Sequence, residues 1–253
     1  MGMRMVVLNA SSKKKGGASR CFSRILKLML AGCQVTTVQV RNQSDHEEAH
    51  AEMEKADAVI LSAPLYIDGI PAHLLEFLQQ AEIMCREKNC SFRLYVLSNG
   101  GFVEGRQNKI HLKMYEAWCR HAGVTWGGGL GIGGGVILHV FCILLPILFA
   151  LRLIQVAAIL WTNGGISGGE IWNCMQGLCI YVFFLLGLLL HEGIMAFGIR
   201  KGRTMKNHYT RVWMPSFLFL IGADIFMLLA ALCNGTLPHK LFRKVYPDTE
   251  KNE

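Results

Sequence analysis

The sequence predicts a doubly wound parallel α/β sheet in its first half, followed by an all-α membrane region. Three observations lead there. Short β-branched runs alternate with amphipathic stretches over residues 1–135, polar glycine-rich turns follow three of those runs, and three long apolar runs occupy residues 136–233. Parallel strands are covered by crossover helices on both faces, so they read as near-continuous apolar segments.

The elements follow in order. "MRMVVLN" (3–9) has the length of a buried strand. "ASRCFSRILKLMLAG" (18–32) sets Phe22, Ile25, Leu26 and Leu28–Leu30 on a helical stripe with Arg and Lys opposite, and ends at a glycine. "QVTTVQV" (34–40) is a second strand and "EEAHAEMEKA" (47–56) a short polar helix. "AVILSAP" (58–64) is a third strand. The helix after it starts from Pro71, whose missing N–H costs nothing in a first turn. "FRLYVLSN" (92–99), the helix "RQNKIHLKMYEAWCRHAG" (106–123) and the strand "VTWGGGLGI" (124–132) complete five strands and four helices. In such sheets ligands gather at the carboxyl ends of the strands, so the informative turns follow strands one, three and four.

Composition narrows the partners. Hydrophobic residues make up 52% of the 253 and charged residues only 17%. Residues 1–135 carry 16 Lys+Arg and 12 Asp+Glu, and each half is net +4. A positive charge this evenly spread suits a membrane-facing protein and gives no footprint for nucleic acid. Nine cysteines form no C-x-x-C pair and have no histidines at zinc-finger spacing, so free thiols are expected and no metal site. The N-terminal apolar run is only a strand long and is followed by lysines, so the first half is expected to stay in the cytosol.

The turn after strand one reads "NASSKKKGGAS" (9–19). Its glycines let backbone N–H groups face an anion, and the next helix offers its positive end. It matches neither G-x-x-x-x-G-K-[ST] nor G-x-G-x-x-G, and a solvated lysine-rich turn fits it equally well. After strand three, Pro64-Leu65-Tyr66 precedes a glycine turn. After strand four comes "SNGGFVEGRQN" (98–108). Together these offer backbone amides and flat aromatics on either side of a ring system.

The runs "LNASSKKKGGAS", "SAPLYIDGIPAHLLEFLQ", "LSNGGFVEG" and "WGGGLGIGGG" resemble the flavodoxin-like NAD(P)H-dependent FMN reductase and quinone reductase superfamily over residues 1–135. P-L-Y-x-x-x-x-P-x-x-L is the most specific stretch. The resemblance implies FMN as cofactor and NAD(P)H as co-substrate. It implies that Ser11, Ser12, Lys13, Gly16, Gly17 and Ser19 hold the FMN phosphate. Pro64, Leu65, Tyr66 and Ile67 would line one side of the ring, and Asn99, Gly100, Gly101 and Phe102 the other. Ala10-Ser11-Ser12-Lys13 stands where many relatives read Gly-Ser-Pro-Arg, which exchanges a bidentate guanidinium for a point charge. The flavin carries the chemistry, so no separate acid or base is required. His73, His111 and His121 are expected at the surface.

Residues 136–161, 176–198 and 212–233 each exceed the roughly 20 residues that cross a bilayer. The segment "TNGGISGGEIWN" (162–173) has no basic residue and "IRKGRTMKNHYTR" (199–211) has five, which puts the second on the cytosolic side. Three spans place the tail, residues 234–253, outside. Its basic residues argue for the opposite side, and a break at Pro146 and Arg152 giving four passes is the alternative. Arg152, Glu192 and Asp224 lie in or near apolar runs, where ionisable groups are costly and often functional. No amphipathic fifth helix follows strand five, so the sheet needs cover from the membrane segment or from a second copy of the chain, a homodimer. The expectation is a multi-pass cell-membrane protein with a cytoplasmic FMN domain, passing electrons from NAD(P)H to a quinone or another small lipophilic acceptor among the membrane lipids. An electron carrier or redox sensor, and a flavin-free scaffold, are the alternatives.

Overall fold

A computed structural model describes residues 3–13, 16–66 and 69–236. The chain forms β1 (Arg4–Asn9), α1 (Ala18–Met29), β2 (Gln34–Gln39), α2 (Gln43–Glu54), β3 (Ala58–Pro64), α3 (Ala72–Glu87) and β4 (Arg93–Asn99). A short 3₁₀ turn (Gly105–Asn108) then leads into α4 (Lys109–Ala122), β5 (Thr125–Ile132), α5 (Gly135–Asn163), α6 (Gly168–Arg200), β6 (His208–Thr210) and α7 (Ser216–Cys233). The nine elements expected before residue 135 are all present at nearly their expected bounds.

The sheet is parallel throughout, in the order β2-β1-β3-β4-β5-β6. Its first five strands have the flavodoxin-like order, which reverses direction between β1 and β3 and opens a crevice there. Fully apolar β3 occupies the centre and is buried along its whole length. On one face, Val6, Leu8, Val59, Leu61 and Val96 pack with α2, α3 and α4 through Met53, Phe77, Leu112 and Tyr115. On the other face, α1 packs against β3 and β4 and buries Phe22 and Leu26.

The cover that no amphipathic fifth helix supplies comes from α6. Leu185, Leu188, Glu192, Met195 and Ile199 recur at three- and four-residue spacing and are buried where α6 meets α1, β5 and β6. Arg200 donates to the carbonyls of Met29 (2.8 Å) and Ala31 (2.7 Å), fastening the end of α6 to the end of α1. The run expected to span at 176–198 lies within a longer helix that is still long and apolar enough to cross a membrane. It is a helix of 33 residues whose second half docks on the sheet.

The sixth strand was also unexpected, and the glycines of β5 explain how it fits. A Cβ at Gly131 would stand 2.8 Å from the Tyr209 ring, and one at Gly129 would stand 2.6 Å from Leu112. The bare backbone of β5 thus admits β6 beside it and α4 beneath it. Residues 135–163 form one helix with Pro146 inside, so the broken, four-pass alternative does not hold.

Three helices, α5, α6 and α7, are long and apolar enough to cross a membrane. In α5 only Gly135 and Leu138 are buried. Helix α7 belongs to a second compact unit that begins at Met214. It is an 18-residue apolar helix preceded by Pro215, shorter at its start than the expected 212–233.

Candidate functional site

Loops from β1, β3 and β4 converge on one cavity of about 570 Å³ at the carboxyl edge of the sheet. That volume lies within the 300–1,000 Å³ usual for cofactor sites. Ser11, Lys13, Gly17, Ser19, Pro64, Leu65, Tyr66, Asn99, Gly100 and Gly101 line it, all of them expected site residues.

The β1 loop is braced from below. Asn9 Oδ1 accepts from the Ser11 N–H at 3.0 Å, Ala10 N–H donates to Ser62 O at 2.9 Å, and His73 Nε2 donates to Ala10 O at 3.1 Å. Gly17 adopts φ +101° and ψ 144°, a region reserved for glycine, and caps the N-terminus of α1. A Cβ there would lie 2.9 Å from Ser11 Oγ. The loop therefore closes over Ser11 only because position 17 has no side chain.

Ser19 and Asn99, assigned to opposite ends of the cofactor by the resemblance, touch one another. Ser19 Oγ donates to Asn99 Oδ1 at 2.7 Å, and Ser62 Oγ donates to Ser19 O at 2.8 Å. Helix α1 and the β4 loop are thus tied by buried polar contacts. The Leu65 N–H bonds Asn99 O at 2.9 Å, joining the β3 and β4 loops on the other side. Tyr66 is half-exposed at the rim, its hydroxyl 3.5 Å from Ser12 Oγ.

Other expected residues stand apart. Gly16 faces a neighbouring cavity, and Phe102 is exposed and does not line the site. Ile67, with Lys14 and Lys15, lies outside the described residues. Val136 and His139, from the first turn of α5, line the cavity and were missed. Their signal was the strand-end rule itself, which applies after β5 as well as after the earlier strands.

His111, expected at the surface, is fully buried. Ser98 donates to Asn108 Oδ1 at 2.7 Å, so His111 Nδ1–H donates to Ser98 at 2.7 Å and Nε2 accepts from Tyr115 at 3.0 Å. Burial pulls its pKa down to about 4, and this neutral imidazole supports β4 just beneath the site. Among the described residues no cluster of His, Cys, Asp and Glu has the makings of a metal site.

The donor set fits a phosphate, with hydroxyls, one lysine and the N-terminal end of α1 around a glycine turn. The flat, mainly apolar walls at Pro64, Leu65 and Tyr66 fit an aromatic ring. The residues present thus suit FMN.

The fold and this crevice define a flavodoxin-like α/β protein. No protein-family model matches the sequence, and no curated protein does. Among solved structures, the chain is similar to the Trp repressor binding protein from Bacillus subtilis, at 13% identity over 50% of this chain and 84% of that one, with TM-score 0.43. It is similar to a WrbA-like flavodoxin from Agrobacterium tumefaciens (17%, 49% and 76%, TM-score 0.42). It is also similar to an NAD(P)H:quinone oxidoreductase from Methanothermobacter marburgensis (19%, 53% and 86%, TM-score 0.40).

Proposed function

We propose that the chain is a membrane-anchored, FMN-dependent oxidoreductase that takes reducing equivalents from NAD(P)H and gives them to a quinone or another lipophilic acceptor. The observation that carries this reading is the convergence of the β1, β3 and β4 loops on one cavity whose chemistry changes from hydroxyls and a cation to apolar walls. FMN, when bound, supplies the hydride chemistry. Ser11 and Lys13 would hold its phosphate, with the backbone N–H groups of Gly17 and the start of α1, and Ser12 stands outside the cavity lining. Leu65 and Tyr66 flank the ring, and Asn99 is fixed by its bond from Ser19.

The anchor is supported by the three apolar helices and by two tryptophans. Trp161 and Trp172 flank the turn between α5 and α6 and are 91% and 64% exposed. Indoles favour the headgroup zone. The α/β unit then faces the cytosol, on the side of the basic segment 199–211.

The test is direct. The full chain in detergent, mixed with FMN, should show flavin absorption after gel filtration and oxidise NAD(P)H when a quinone is added. Absence of retained flavin refutes the reading. Retained flavin without NAD(P)H oxidation makes the protein an electron carrier.

A further inference from the structure

A second cavity, of about 520 Å³, adjoins the first and has a different character. It lies between α1, α5 and α6, and the two share Gly17 and His139. Ile25 and Leu28 from α1, Ile143 from α5, and Leu185 and Leu189 from α6 form its apolar walls. Arg20 and Arg24 stand at its polar side. Two of the three walls belong to helices long and apolar enough to cross a membrane.

From this continuity we infer that the groove receives a lipid-soluble carbonyl acceptor from the bilayer. Its alkyl or prenyl tail lies along Leu28, Ile143 and Leu189. Its head reaches the first cavity past Gly17 and His139. The inference rests on the proposed function and adds a route to it. Three observations favour this occupant over a tail-less solute. The groove is mostly apolar, it is bounded by the α5–α6 hairpin, and it ends at the candidate flavin site. Overall, NAD(P)H, one proton from water and the quinone yield NAD(P)⁺ and the hydroquinone, so two electrons and two protons are accounted for.

Labelling tests the groove without relying on turnover. The full chain is placed in phosphatidylcholine nanodiscs, irradiated with a decyl-tailed benzoquinone carrying an aryl azide, and digested. Adducts should concentrate in residues 20–28 and 139–145, and an excess of unlabelled decyl-quinone should suppress them. Ile143→Trp and, separately, Leu28→Trp fill the groove from exposed positions. Each should cut labelling about tenfold and lower the ratio of tailed to tail-less quinone turnover by a similar factor. Leu151→Trp, on α5 outside the groove, should change neither.

Adducts elsewhere, or labelling indifferent to both groove variants, would overturn the inference. Suppression by phosphatidylglycerol but not by unlabelled quinone would assign the groove to a structural lipid and overturn it as well. FMN retention is measured on the same samples. Retention without groove labelling refutes the groove alone, whereas groove labelling without retention refutes the flavin reading and leaves the groove as a quinone site.

Discussion

At the scale of single residues, Gly17 decides whether the loop after β1 can close over Ser11. Its backbone angles exclude a side chain, and a methyl group would meet Ser11 Oγ inside contact distance. Gly17→Ala should cost about 2 kcal/mol or more and reduce FMN affinity at least tenfold, measured by quenching of flavin fluorescence. His111 makes a different prediction. Unfolded, its imidazole takes a proton near pH 6.5, whereas folded it does so only at about 4. The unfolded chain thus binds more protons between those values, so stability falls as pH drops from about 6.5 to about 4. The contribution lost approaches about 3 kcal/mol. Unfolding midpoints in detergent should decline through this window, and His111→Gln should flatten the decline. Most of the cavity lining was legible because strand ends and glycine turns leave local marks. His111 was not, because burial by α4 and β4 depends on contacts that no short stretch displays.

At the scale of elements, α6 has two roles that hydropathy alone does not separate: it is long and apolar enough to cross a membrane, and its second half covers the sheet. Residues 185–199 are apolar on nearly every side, and a helix buried in protein then reads like one buried in lipid. The small residues were the subtler sign. A Cβ on Gly187 would collide with the Trp213 indole, and one on Gly198 would collide with Met205 Sδ, so close protein packing had been written there. Residues 1–135 expressed alone should therefore leave a sheet face bare and aggregate or bind hydrophobic dyes, whereas the chain to Trp213 should not in detergent. Leu188→Ala in the full chain, by removing a fully buried side chain, should cost about 2–5 kcal/mol. Differential scanning of the detergent-solubilised protein measures it.

For the whole molecule, the apolar hairpin governs handling. Because α5 buries only Gly135 and Leu138, most of its apolar surface is uncovered by protein, and if it is the proposed anchor, alkaline carbonate or high salt should leave the protein in the membrane pellet. Detergent should release it. Failure to pellet would refute the anchor. The five-strand core was readable because each α/β unit is compact in sequence. The sixth strand, only three residues long, depends on a return journey through α5 and α6 of some seventy residues, and local pattern carries no trace of such distant pairing.

The unbroken course of α6 has a mechanical consequence. It spans 33 residues, about 50 Å at 1.5 Å per residue, with no proline to absorb bending, and it is clamped to α1 through Arg200. A hairpin that leans to match a thin bilayer cannot do so independently of the sheet. In the proposed membrane-anchored arrangement such a lean would be carried along α6 like the motion of a tiller, and the candidate crevice would tip with the sheet. Bilayer thickness would then be a mechanical input to the angle at which the crevice meets its surroundings.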